Sequence, residues 1–319
     1  MNILLDWKIS DFESNYLKNN LEEHKLIITG NINPTTFLES KALKETDILI
    51  AGNATADMIA NATNLKLIQS MISGTSHIAI DSAHKRNIPV CSSKGANANS
   101  VGEHALMLIL NLAKNYNHYS KDVENKIWNK RYSDSLEGKK LGIIGLGCIG
   151  TQIAKLSLAF GMEILSVRMR PYLGTNGLDI TEPKSPKFIE KVVRESDYLV
   201  ITVPKTKATY NLINDNLIGK MKQDARIINL SRGITVDQKA VYNALLKKQL
   251  GGFATDVFSS EPCKFEDPIY NFRNVVATPH VAAFNKKAKI RCLEKTIANI
   301  NMFVKNKSLM GVVDYELGY

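Results

Sequence analysis

Three side chains suited to anion binding and acid–base chemistry lie in the second half of the chain. Arg232, Glu261 and His280 each come soon after an apolar run. If these runs are parallel strands of one sheet, their carboxyl ends border a common ligand crevice and the three side chains converge there. A guanidinium binds carboxylates through its planar fork, and a histidine beside a carboxylate can exchange a proton near neutral pH. Taken singly, the three residues also fit a surface ion pair, a loop charge and a core histidine.

A glycine-rich turn stands between an apolar run at residues 141–144 and a helical pattern. Gly145, Gly147 and Gly150 have the spacing G-x-G-x-x-G. The first glycine permits a tight turn, the second lets backbone approach a pyrophosphate, and the third lets the helix pack close to its strand. The N–H groups at the helix N-terminus then face the anion. In this context the motif predicts dinucleotide binding, and the alternative is a purely structural turn.

Strand-like and helix-like segments alternate along most of the chain, which is typical of parallel sheets covered by helices. Five apolar runs predict strands in the first part, at residues 3–5, 26–29, 48–51, 67–71 and 88–91. Six more predict a doubly wound sheet, at residues 141–144, 164–167, 198–203, 226–230, 252–257 and 275–278. Helix-compatible segments lie at residues 11–24, 82–86, 190–195 and 237–250, and from 283 onward.

A helix predicted over residues 101–114 is apolar nearly all round. Ser100 is the expected N-cap, with Glu103 completing a capping box, and the small polar segment 95–100 before it suits a hinge. A helix of this kind must be covered on every side, either by both domains or by a second subunit.

Composition and charge narrow the class of protein. The 319 residues suffice for two domains, and 44% hydrophobic and 23% charged residues are ordinary for a globular protein. The net charge of +10 comes from scattered lysines without a run of five, so we expect no nucleic-acid partner. The cysteines lie far apart, which argues against a zinc site and a disulfide framework. With no leader pattern and no span-length apolar helix, we expect a cytoplasmic protein that does not enter membranes.

Several motifs occur together in a fixed order. They are residues 145–150, Val203-Pro204 with Thr206 and Thr209, residues 229–233 with Val236-Asp237, residues 256–262, residues 278–280, and residues 99–104. In order and spacing the chain resembles the D-isomer-specific 2-hydroxyacid dehydrogenase family over nearly its whole length. The resemblance implies an α/β fold of two doubly wound parallel-sheet domains. A Rossmann dinucleotide-binding domain (98–282) would be inserted into a flavodoxin-like substrate-binding domain (1–97, completed by 283–319). It also implies a homodimer with the helix 101–114 in the interface.

The resemblance further implies reduction of a small 2-oxo acid, such as glyoxylate or hydroxypyruvate, with a nicotinamide cofactor. Arg232 would bind the substrate carboxylate and carbonyl oxygen, while His280 would donate the proton as hydride arrives. Glu261 would pair with His280 and favour its imidazolium form. Backbone N–H groups of Ser73 and Gly74 would hold the substrate carboxylate.

Cofactor contacts follow from the same resemblance, with Asp256 on the nicotinamide carboxamide and Thr209 near a phosphate. The full expected set is Gly145, Gly147, Cys148, Ile149, Gly150, Arg168, Arg170, Val203, Pro204, Thr209, Leu230, Asp256 and His280. Cys148 stands where the family often has arginine. The acidic residue expected after the strand 164–167 is missing, and Arg168 and Arg170 stand there instead. Because an acid at that point binds the ribose of NAD, its absence predicts that NADP(H) is preferred, with NAD(H) as the alternative cofactor.

Two other functions on this fold stay open. One is a binding protein of the corepressor kind, which senses nicotinamide cofactors with little turnover. The other is a formate dehydrogenase, whose family resembles this one but has glutamine where Glu261 stands. The presence of Arg232, Glu261 and His280 together favours the 2-oxo acid reductase.

Overall fold

The computed structural model describes residues 1–30, 40–170, 175, 177, 178, 180 and 184–319. The chain divides into two units, one formed by Met1–Asn97 with Asn285–Tyr319 and the other by Ala98–Phe284. We call them the first unit and the second unit.

The first unit is built on a five-stranded parallel sheet. Its strands are β1 (Asn2–Leu5), β2 (Lys25–Ile28), β3 (Ile48–Ala51), β4 (Leu67–Ser70) and β5 (Val90–Ser92). Its described helices are α1 (Asp11–Asn20), α2 (Lys41–Lys44), α3 (Ala56–Asn61), α4 (Ile80–Lys85) and α11 (Lys286–Val304). The strand order β2-β1-β3-β4-β5 confirms the flavodoxin-like sheet.

Strand β1 contains no charged residue because both of its faces pack against apolar cores. Ile3 and Leu5 belong to a core that includes Leu17 of α1 and Leu293 of α11. Leu4, whose side chain points to the opposite face, belongs to a second core of the same unit. A parallel strand covered on both faces has no position for a solvent-facing polar residue.

The second unit has a six-stranded parallel sheet of order β11-β10-β9-β8-β6-β7. Its strands are β6 (Lys140–Ile144), β7 (Glu163–Val167), β8 (Tyr198–Ile201), β9 (Arg226–Asn229), β10 (Gly252–Thr255) and β11 (Val275–Ala277). Its described helices are α5 (Ala98–Ala113), α6 (Tyr116–Glu124), α7 (Cys148–Leu158), α8 (Ile189–Glu195), α9 (Asp215–Ile218) and α10 (Gln238–Leu246). The order reverses between β6 and β8, so the carboxyl ends of these strands border a ligand crevice. The doubly wound sheet is thus confirmed.

Helix α5 begins at Ala98 rather than Val101, so the predicted capping box was wrong. Ser100 lies inside the helix and is only 8% exposed, because packing extends the helix beyond its local capping signal. Most apolar side chains of α5 are buried in the core of the second unit itself, although Met107 remains 43% exposed. The all-round apolarity therefore has an explanation within one chain, and the homodimer stays a prediction.

Candidate active site

The turn after β6 has the conformation that its glycines require. Gly145 has a φ of 106°, and its N–H and that of Leu146 donate to the Val167 carbonyl at 2.9 and 3.2 Å. A Cβ on Gly150 would lie 2.4 Å from the Gly145 carbonyl oxygen, so only glycine permits this close packing of α7. A Cβ on Gly147 would meet no atom within 4 Å, which leaves open space at the start of α7.

The N-terminus of α7 offers backbone donors to an anion. The N–H groups of Cys148, Ile149 and Gly150 have no acceptor among the described residues, whereas Thr151 donates to the Gly147 carbonyl at 2.8 Å. Cys148 is exposed and Ile149 is half-buried. Open space, unpartnered N–H groups and the positive end of the helix dipole together fit the pyrophosphate of a dinucleotide.

Two arginines follow β7 next to this turn. Arg168 comes directly after Val167, whose carbonyl accepts from the glycine turn, and its own N–H donates to the Lys184 carbonyl at 2.9 Å. Arg168 is half-buried and Arg170 is exposed. The sequence from 164 to 178 contains no Asp or Glu. The expected acid is therefore absent at the end of this strand.

In the turn after β8, the Thr209 side chain forms hydrogen bonds within its own loop. The Thr209 hydroxyl lies 2.7 Å from the Pro204 carbonyl, to which it donates, and it accepts the Thr206 N–H at 2.8 Å. Thr209 therefore closes the loop, and its expected contact with a phosphate stays a prediction. Val203 is half-buried in this turn, and Leu230 lies in the core beside it, only 7% exposed.

Arg232 is held by a turn that fixes its backbone. Its carbonyl accepts from the Asn229 amide at 3.0 Å and the Thr235 hydroxyl at 2.7 Å. Its Nη1 donates to the Ser231 carbonyl at 2.6 Å. Burial lowers the pKa of the Arg232 guanidinium, and the negative charge of Glu261 opposes that effect. Arg232 is thus a half-buried cation whose charged form is favoured by the negative charge of Glu261.

Glu261 and His280 are in direct contact, as the sequence predicts. His280 Nδ1 lies 2.6 Å from Glu261 Oε2, and Glu261 Oε1 accepts the Phe258 N–H at 2.9 Å. The pair is open, since the His280 side chain is 46% exposed and the Glu261 side chain 36% exposed. With Nδ1 engaged, Nε2 is the ring nitrogen left to meet a ligand. The loop holds His280 in the left-handed region, at a φ of 55°.

Ser73 and Gly74 lie in the first unit, in the loop after β4. The Ser73 hydroxyl donates to Asn97 Oδ1 at 2.8 Å, and the Gly74 carbonyl accepts from the Ser70 hydroxyl at 3.2 Å. Neither the Ser73 nor the Gly74 N–H finds an acceptor in the described part of the chain. Two neighbouring free N–H groups are suited to a carboxylate.

Asp6 is a residue of this region that sequence reasoning missed. It follows β1 and accepts the backbone N–H groups of Gly52 and Asn53 after β3, the latter at 3.1 Å. Burial raises the pKa of Asp6, while these N–H groups lower it. Because the strand order of the first unit reverses between β1 and β3, Asp6 fixes a loop at that sheet's own switch point. The available signal was an acid directly after a predicted strand.

Known proteins were compared with this chain. The model for "D-isomer specific 2-hydroxyacid dehydrogenase, NAD binding domain" matches residues 106–282. A hydroxypyruvate reductase of Thermotoga maritima is 34% identical over 263 residues, which cover 79% of this chain and 82% of the relative. The chain belongs to the D-isomer-specific 2-hydroxyacid dehydrogenase family. A glyoxylate reductase of Thermofilum pendens is 32% identical over 84% of this dehydrogenase and 80% of the relative. The structure of D-lactate dehydrogenase from Aquifex aeolicus, complexed with NAD and lactic acid, has a TM-score of 0.79 and 27% identity over 96% of each chain.

The dehydrogenase also contains a buried polar cluster whose members sequence reasoning did not connect. Asp256 accepts from the Thr278 hydroxyl at 2.6 Å and from the Val281 and Ala282 N–H groups at 2.9 Å each. His104 of α5 lies 2.9 Å from the same hydroxyl. Asp256 was expected only as a cofactor contact, and His104 only as part of a motif.

In the described residues, no helix is both long and apolar enough to cross a bilayer. No group of three or more His, Cys, Asp and Glu side chains there is arranged to hold a metal ion.

Proposed function

We propose that this dehydrogenase reduces a small 2-oxo acid, of the glyoxylate or hydroxypyruvate class, to the corresponding 2-hydroxy acid. The observation that carries the proposal is the 2.6 Å contact between His280 Nδ1 and Glu261 Oε2 in an exposed pair. A carboxylate on Nδ1 orients the ring and leaves Nε2–H as the group that can donate a proton to a carbonyl oxygen. The bound nicotinamide supplies the hydride for the carbonyl carbon.

Arg232 binds the substrate acid in this proposal. Its planar guanidinium provides two parallel donors to the carboxylate and the carbonyl oxygen. Its positive charge would also stabilise the negative charge that develops on that oxygen. In the first unit, we propose the N–H groups of Ser73 and Gly74, which meet no acceptor among the described residues, as further carboxylate donors.

Cofactor binding is assigned to the second unit. The α7 N-terminus holds the pyrophosphate, and Asp256 Oδ2, which accepts only the Ala282 N–H among the described residues, has capacity left for the carboxamide N–H. We propose NADP(H) as the preferred cofactor over NAD(H), and Arg168 and Arg170 would bind its ribose 2′-phosphate. The absence of an acid from 164 to 178 supports this assignment, because such an acid would repel the phosphate.

The class of substrate has support from relatives. Those named hydroxypyruvate or glyoxylate reductase match over 80–82% of their own length. The relatives named D-3-phosphoglycerate dehydrogenase match over only 43–58% of theirs. This chain therefore matches about four fifths of each reductase but only about half of each phosphoglycerate dehydrogenase.

A substrate screen tests the proposal. The purified protein is mixed with glyoxylate, hydroxypyruvate, pyruvate or a phosphorylated 2-oxo acid, with NADPH or NADH, and loss of absorbance of the reduced cofactor is followed. We expect turnover with glyoxylate or hydroxypyruvate and little with the phosphorylated acid. Absence of turnover with every 2-oxo acid and both cofactors, in a folded protein that binds cofactor, would contradict the proposal.

A further inference from the structure

A buried chain of hydrogen bonds connects α5 to the loop that carries His280. It runs from His104 Nε2 to Thr278 Oγ1 at 2.9 Å and from there to Asp256 Oδ1 at 2.6 Å. The Asp256 side chain is buried, at 2% exposed, and the His104 side chain is mostly buried, at 14% exposed. The chain contains neither Glu261 nor His280, so any effect it has on the proton donor passes through the backbone from Thr278 to Ala282.

The direction of each hydrogen bond follows from the donors present. Both carboxyl oxygens of Asp256 accept backbone N–H groups, Oδ1 from Val281 and Oδ2 from Ala282. The Thr278 hydroxyl has a single hydrogen, which it donates to Oδ1 at the shorter distance. Its oxygen is then the acceptor for His104, so Nε2 of His104 carries a hydrogen. Burial lowers the pKa of His104, with Asp256 opposing, and the neutral Nε2–H form supplies the required donor.

This chain acts on the backbone around His280. The His280 N–H donates to the Thr278 carbonyl at 2.9 Å, and the next two N–H groups are bound to Asp256. A residue other than glycine is disfavoured in the left-handed region, because its Cβ lies too close to the following carbonyl oxygen. His280 has a φ of 55°, so the surrounding hydrogen bonds must hold it there.

We propose that His104 is a positioning residue for the proton donor. By donating to Thr278 it fixes that hydroxyl toward Asp256, and Asp256 in turn holds the Val281 and Ala282 N–H groups. His280 is thereby kept in the strained conformation in which Nδ1 meets Glu261. The inference rests on the proposed function for its catalytic consequence, but the positioning itself belongs to the protein alone.

Two substitutions at position 104 separate the hydrogen bond from the bulk of the side chain. His104→Gln carries an amide N–H that reaches Thr278, whereas His104→Leu fills similar space without a donor. Backbone hydrogen exchange at Val281 and Ala282 is measured by mass spectrometry on overlapping peptides, in the protein without substrate. We expect exchange there to rise roughly 3- to 10-fold in His104→Leu and to stay near wild type in His104→Gln. His118→Leu, at another half-buried histidine of the second unit, is the matched control and should change neither peptide nor turnover.

Kinetics and a double variant complete the test. His104→Leu should lower kcat roughly 3- to 10-fold with the KM for the 2-oxo acid nearly unchanged, and His104→Gln should restore it. Thr278→Val breaks the same chain, so adding His104→Leu to it should cause no further loss. Unchanged exchange in His104→Leu, equal damage from His104→Gln, or additive losses would overturn the inference. If the wild type reduces no 2-oxo acid, the proposed function fails and the exchange measurements alone decide the role of His104.

Discussion

In the proposed mechanism, Glu261 and His280 share one proton transfer: the carboxylate contacts Nδ1 and orients the ring, which leaves Nε2 to donate the proton. Replacing His280 with Ala removes the proton donor. The cofactor contacts proposed for the glycine turn stay in place. We expect kcat to fall by roughly 10²–10⁴-fold while cofactor affinity changes little. Steady-state kinetics and a cofactor titration measure the two effects, with His118→Ala as the control. Near wild-type turnover in His280→Ala would remove it from the mechanism.

Glu261 has a separate effect, on the orientation of the His280 ring. Glu261→Gln keeps a hydrogen-bond acceptor near Nδ1 but removes the negative charge, so the charge-assisted contact becomes an ordinary, weaker hydrogen bond. We expect kcat to fall roughly 3- to 30-fold while cofactor affinity changes little, as measured by steady-state kinetics and a cofactor titration. Glu266→Gln, an exposed glutamate in the same loop, controls for a general charge effect, and an unchanged kcat in Glu261→Gln would contradict the pairing.

The predicted preference for NADP(H) over NAD(H) depends on Arg168 and Arg170. A charge-assisted hydrogen bond to a phosphate is worth about 1.5–3 kcal/mol, less where solvent screens it. We therefore expect kcat/KM for NADPH to exceed that for NADH by at least about tenfold. Arg168→Asp should narrow or reverse the ratio, while Arg194→Asp, at an exposed arginine on α8, should leave it unchanged. Equal use of both cofactors by the wild type would show that these arginines are only surface charges.

At the level of elements, the glycine turn packs closely against the first turn of α7. A methyl group on Gly150 would collide with the Gly145 carbonyl, so Gly150→Ala should destabilise the protein by about 1–3 kcal/mol and lower its melting temperature. Gly147→Ala is the matched control, because its methyl meets nothing and its φ of −91° suits alanine. That variant should keep the melting temperature yet weaken cofactor binding. Equal melting temperatures for Gly150→Ala and wild type would contradict the packing argument.

The strands were the elements best predicted from sequence, and the reason is physical. Leu4, Ile143 and Ile228 lie in strands buried on both faces, so each strand appears as an uninterrupted apolar run. Short polar helices such as α2 and α9 give no such signal. The approach of Glu261 to His280 was predictable because strand ends converge in a parallel sheet, and their direct pairing was implied by the family resemblance. The contact between His104 and Thr278 was not, because it joins residues 174 positions apart and depends on how α5 packs.

At the scale of the whole molecule, the homodimer is expected to form through a surface other than the helix 101–114. The prediction relied on apolar surface of the helix 101–114, but α5 buries most of that surface within the second unit. Several of the most exposed apolar side chains in the described residues lie on α6 and the segment after it instead. Val123 is 73% exposed, Ile127 50%, Trp128 91% and Tyr132 104%. Large aromatic residues left in water are typical of surfaces that a protein partner covers.

We therefore expect the dimer contact to include α6 and the segment that contains Trp128. A stable interface removes about 800 Å² from each partner, and aromatic anchors near its centre contribute most of the affinity. Sedimentation at micromolar concentration should show a dimer for the wild type. Trp128→Ser should shift it toward monomer without lowering the melting temperature of the monomer, because a side chain that is 91% exposed contributes little to its own core. Phe12→Ser, at a 55% exposed aromatic residue of the first unit, is the control and should leave the dimer intact. A wild type that sediments only as monomer would refute the assembly, and a Trp128→Ser dimer as tight as wild type would place the interface elsewhere.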